Sequence, residues 1–93
     1  MIRYYVVTEP PEYHPSEPIG LYRVIDEPNR LRGEYLNASA VWVASGEVLA
    51  DVAGYSAEPG IVKVSKSKAR KILEGWDFVR DADEVLSRDR VPA

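Results

Sequence analysis

The sequence predicts an α+β domain: a mostly antiparallel sheet of about four strands with two or three helices, in the order β-β-β-α-β-α-(α). Three observations lead there. The runs "IRYYVVT" and "GLYRVID" are rich in the β-branched and aromatic residues that strands favour. The turn signal "EPNR" divides the second run from a third, "LRGEYLN", as a hairpin would. From Ser45 onward the apolar spacing changes to the helical period.

Taken in order, Ile2 to Thr8 forms the first strand. Tyr5 and Val7 fall on one face and Ile2, Tyr4 and Val6 on the other, so the strand should be covered on both sides. Residues 9–18 hold four prolines, which fix φ and remove backbone donors, and read as an extended loop partly in polyproline II. Gly20 to Asp26 is the second strand. Leu31 to Asn37 is a third, weakened by Gly33. Ser45 can cap a helix with Glu47 in its first turn, an apolar stripe of Val48, Leu49, Val52 and Ala53, and Gly54 to close it.

Glu58-Pro59-Gly60 then turns the chain into a short fourth strand, Ile61 to Val64. Ser65 caps a second helix running to about Trp76, whose apolar face is Ala69, Ile72, Leu73 and Trp76. Asp81 and Glu84 make a capping box for a last short helix, Ala82 to Ser87. The helices are expected on one face of the sheet. No linker, repeat or low-complexity stretch divides residues 1–93, which read as a single domain fraying from about residue 88 to 93.

Composition narrows the function classes. A hydrophobic content of 45% argues for a folded globule. With no cysteine there is neither a disulfide nor a thiolate metal site, which suits a reducing compartment; the first residues lead straight into a strand, so a cytoplasmic protein is expected. The longest apolar run, Ala40 to Ala44, is too short to span a membrane. Asn37-Ala38-Ser39 fits the glycosylation pattern by chance.

Catalytic sets are sparse. Ser65-Lys66-Ser67-Lys68 fits Ser-x-x-Lys, but without its companion motifs Ser65 is more simply a helix cap. His14, the single histidine, lies in the proline loop with no nucleophile pattern beside it. Asp81, Asp83 and Glu84 lack the spacing of a calcium loop. Pro15-Ser16-Glu17-Pro18 matches the minimal Pro-x-x-Pro ligand. The expectation is a non-enzyme with no catalytic residue, cofactor or metal.

The strongest lead is a basic cluster. All four lysines, Lys63, Lys66, Lys68 and Lys71, lie with Arg70 inside residues 63–71 of a chain whose net charge is −3. A solvated helix face is the plain reading. However, the first turn of a helix prefers acids, and this one carries Lys66 and Lys68. A partner would explain that choice. An acidic protein surface suits a negative chain better than nucleic acid does, and a membrane is not expected. Trp76 and Phe78 would anchor such an interface. Whether the chain self-associates is not encoded in these features.

"IRYYVV", "GLYRVID" and "VSKSKARKILEGW" after a Pro-Gly turn together resemble small accessory proteins of actinobacteria and their phages. That resemblance implies a regulator that binds a host protein and modulates it. The partner-binding residues expected are Lys63, Lys66, Lys68, Arg70, Lys71, Trp76 and Phe78; a nucleic-acid-associated regulator using the residue 63–71 cluster is the alternative.

Overall fold

In a computed structural model, which describes residues 1–8, 20–53 and 60–88, the β-branched and aromatic runs become strands. They are β1 (Ile2–Val7), β2 (Gly20–Glu27), β3 (Arg30–Leu36), β4 (Trp42–Ala44) and β5 (Ile61–Val64). The helices are α1 (Gly46–Val52), α2 (Lys66–Glu74) and α3 (Ala82–Ser87). The sheet order is β4-β3-β2-β1-β5 with every pairing antiparallel. β1 therefore has a strand on each side, and β5 returns to pair with it across the sheet from β4.

The fold class is the expected α+β arrangement, with two differences. β4 is a fifth strand, lying within the apolar run Ala40 to Ala44. Three residues are too short for alternation to register in a sequence, and pairing to β3 supplies what propensity could not. The helices also occupy both faces of the sheet. α2 and α3 join Tyr4, Val6, Leu21 and Trp42 in one apolar cluster, and Val48 of α1 joins Tyr5 and Val24 in another. The two-sided apolar pattern of β1 requires this, because a single helical layer would leave Tyr5 in water.

Gly33 weakens a strand in isolation but fits this one to α1. A Cβ there would lie 2.9 Å from the Ser45 carbonyl oxygen and 3.0 Å from Val48 Cβ and Leu49 Cγ. The Ser45 N–H donates to the Gly33 carbonyl at 2.9 Å, tying the start of α1 to β3. Ser45 occupies the N-cap position as expected, but its side chain makes no capping hydrogen bond. α1 is anchored by this backbone tie and by Val48. The closing role expected of Gly54 falls outside the described residues, as do the proline loop, the Glu58-Pro59 part of the next turn and residues 89–93.

On the other face lies a buried ion pair. Arg23 and Glu34 are direct cross-strand partners on β2 and β3, 3% and 0% exposed, with Nε donating to Oε1 at 2.5 Å. The guanidinium also donates to the carbonyls of Leu86 (3.3 Å) and Arg88 (2.8 Å) and lies 4.3 Å from the centre of the Trp42 ring. Trp42 Nε1 donates to the Val85 carbonyl at 2.7 Å. The Val85, Leu86 and Arg88 carbonyls at the end of α3 thus receive donors from β2 and β4. A cation at that end also suits the helix dipole.

The link from β3 to β4 is held by similar means. Asn37 Oδ1 accepts from the N–H groups of Ser39 and Val41, at 2.9 and 3.1 Å, which explains this asparagine without glycosylation. Ala40 adopts a left-handed φ of 59°, and its carbonyl accepts from Arg88 Nη1 at 2.8 Å. Arg88 in turn pairs with Glu84 at 2.7 Å.

Four outcomes follow from this packing. Glu34→Ala should lower stability by about 3–5 kcal/mol in urea unfolding, because Arg23 would remain charged and buried. The double variant Arg23→Met, Glu34→Leu should recover part of that loss. Gly33→Ala should cost about 1–3 kcal/mol by steric overlap with α1, since its φ is not in the left-handed region. Burial raises the Tyr4 hydroxyl above its ordinary pKa of 10.0, with the Arg23 charge opposing in part. The folded state then holds the proton more tightly than the unfolded state, so the stability Tyr4 carries is complete below pH 10 and is lost as pH rises through its folded value. Tyrosinate absorbance should show a late-titrating phase that Tyr4→Phe removes.

Candidate functional site

α2 follows directly from local chemistry. Ser65 Oγ accepts from the Lys68 N–H at 3.1 Å, and Gly75 takes the C-cap position. Capping therefore accounts for Ser65 in the Ser-x-x-Lys pattern. Ala69, Ile72 and Leu73 are buried and Trp76 packs against the same cluster, as their spacing predicts. The opposite side carries Lys66, Lys68, Arg70 and Lys71, all exposed. The first turn holds no acid.

The structure separates the five basic residues. Lys63 lies on β5 opposite Tyr5 of β1. Its neighbours Val62 and Val64 pack on the cluster beneath α2 and α3, so alternation directs Lys63 to the α1 side of the sheet. It is not part of the α2 surface. Arg70 contacts Glu74 at 3.4 Å and Asp83 at 3.1 Å, linking α2 to α3. Its charge is partly spent inside the molecule. Lys66, Lys68 and Lys71 are left on the exposed flanks and back of α2.

A division between the two cation types is visible throughout. Among the described residues every side-chain ion pair uses an arginine: Arg23, Arg30, Arg32, Arg70 or Arg88. None uses a lysine. Arginine offers a rigid fork suited to fixed partners, whereas lysine keeps a strongly hydrated charge on a flexible stem.

Just beyond α2, a turn closed by Trp76 N–H to the Leu73 carbonyl (3.1 Å) and Val79 N–H to the Trp76 carbonyl (3.0 Å) brings two aromatics together. The rings of Trp76 and Phe78 stack with centroids 5.4 Å apart and planes 24° from parallel. Trp76 reaches inward to the core, while Phe78 stays 43% exposed. Phe78 thus forms an apolar step on the surface, backed by Trp76.

The acids near the chain end have structural partners. Asp81 Oδ1 accepts from the Glu84 N–H at 3.2 Å, capping α3 as its spacing predicts; Asp83 meets Arg70 and Glu84 meets Arg88. Among the described residues no cluster of three or more His, Cys, Asp or Glu is arranged to hold a metal ion. No helix among them is long and apolar enough to cross a membrane. His14 and the Pro15–Pro18 motif lie outside the described residues.

Sequence reasoning passed over three charged residues that the structure makes prominent. Arg23 and Glu34 alternate with apolar residues on strands, and an arginine within "LYRVI" is a usable sign of a buried charge. Arg3 is the third; it lines an apolar groove beside α1. Compared with protein-family models, with curated proteins and with solved structures, the chain matches none.

Proposed function

We propose that this chain is a non-catalytic protein-interaction module that recognises an acidic partner surface through the exposed side of α2. Lys66, Lys68 and Lys71 supply the charge, and Phe78, backed by Trp76, supplies the apolar contact. One observation carries the reading: the α2 lysines have no ion-pair partner among the described residues, while Phe78, stacked on the half-buried Trp76, stands exposed beyond the same helix. An exposed ring stacked on a half-buried neighbour has less freedom to lose on docking than an unsupported one. Unpaired lysines meeting a complementary surface speed association and set register.

In this reading the protein is an accessory regulator, of the kind found in actinobacteria and their phages, that binds a host protein and changes its activity. The cysteine-free composition fits work in the cytoplasm.

Capture from nuclease-treated lysate should retain one protein partner. Phe78→Ala should weaken that complex by about 2 kcal/mol, as an anchor does, with each single lysine substitution costing about 1 kcal/mol or less. The triple variant Lys66→Ala, Lys68→Ala, Lys71→Ala should slow association and leave thermal unfolding near that of the parent. Capture abolished by nuclease, with binding that falls by a log–log salt slope of about −0.9 per phosphate contact, would overturn the reading in favour of duplex DNA.

A further inference from the structure

We infer that the groove between β1, β2 and α1 is a binding site for a small apolar monocarboxylate. The groove has a volume of about 610 Å³ and is lined by Arg3, Tyr5, Val24, Leu31, Leu49 and Val52 among others. That volume lies within the range of roughly 300–1,000 Å³ typical of small-molecule sites. Among the described residues its walls are apolar or aromatic, and Arg3 is the one charged residue lining it.

Arg3 gives the site its chemistry. It sits opposite Val24 in the β1–β2 register, so its stem starts from the groove floor. Its Nε is buried and has no hydrogen-bond partner among the described residues. Among the described residues it forms no ion pair, although five other arginines do. The acid of α1 nearest in sequence to the groove lining, Asp51, is engaged by the Tyr22 hydroxyl at 3.1 Å. A buried donor with no acceptor is costly, and a ligand oxygen would satisfy it.

The geometry of the charge selects the ligand class. A guanidinium fork matches the two coplanar oxygens of a carboxylate, which it can bind bidentately. The apolar walls take a hydrocarbon or aryl body of matching size. Lys63, opposite Tyr5 on the adjacent strand and directed to this same side of the sheet, adds a second positive charge nearby. The groove lies across the sheet from α2, so the site is independent of the partner surface proposed above.

The test is a titration of the ¹⁵N-labelled protein with octanoate and with 4-phenylbutyrate, using octan-1-ol as the uncharged counterpart. Saturable shifts should centre on the amides of Arg3, Tyr5, Val24 and Leu49 to Ala53, and octanoate should bind at least about tenfold more tightly than octan-1-ol. Arg3→Gln should reduce octanoate affinity about tenfold and leave octan-1-ol binding unchanged. Ala53→Trp, at the exposed lip of the groove, should weaken both. Equal affinity for the acid and the alcohol in the unaltered protein would overturn the proposal even if Arg3→Gln failed to fold. So would shifts that map elsewhere, shifts that do not saturate, or a concentration-dependent dimer that buries the same amides.

Discussion

The Arg23–Glu34 pair is the constraint around which one half of the molecule is organised. Two charges withdrawn from water must be satisfied together, and Arg23 meets that demand by spanning three elements. Its fork joins the β3 carboxylate to the Leu86 and Arg88 carbonyls at the end of α3, with the Trp42 ring stacked against it. α3 is only six residues long and could not persist alone. Its place is set by polar groups presented from the sheet: Arg23, Trp42 Nε1, and the Ala40 carbonyl that receives Arg88. The left-handed Ala40 belongs to the same arrangement, since its carbonyl is aimed by the Asn37 turn.

Among the described residues the opposite face is simpler and less fully packed. Val48, Tyr5 and Val24 form a small cluster there, with Tyr22, Leu49, Val52 and Ile61 at its margins. α1 sits chiefly on β3, drawn close by the absence of a side chain at Gly33. A seven-residue helix cannot cover a five-stranded sheet. The groove beside it, with Arg3 at its floor, is a consequence of that shortfall.

Arginine and lysine divide the work of charge. Arginines form the buried pair, the β2–β3 turn contacts and the ties between α2 and α3, where a planar fork rewards fixed geometry. Lys66 and Lys68 are left to solvent at the end of α2 whose dipole disfavours them, and Lys71 lies in its last turn. Fixed cations hold the molecule together, and free ones face outward to whatever the molecule meets. That division ties the stability of the fold to the character of its surface.

Local chemistry was legible wherever it acted over a few residues. The Ser65 and Asp81 caps, the apolar stripe of α2, the Glu27–Arg30 turn and the two-sided character of β1 all follow from spacing and propensity, and so does the α+β class. The basic cluster was legible as composition, but not as a surface. Strand alternation sends Lys63 to the far face, and Arg70 finds Asp83 only once α3 has docked. β4 exists because β3 offers it a ladder. Arg23 meets Glu34 because register makes them cross-strand neighbours, and Arg3 lines a groove because α1 stops short of it. The sequence by itself determined the elements other than β4, the caps of α2 and α3 and the apolar faces, since those depend on neighbours within about one helical turn or strand. Tertiary structure decided which charges are buried, paired or free, since that depends on residues far apart in the chain meeting in space.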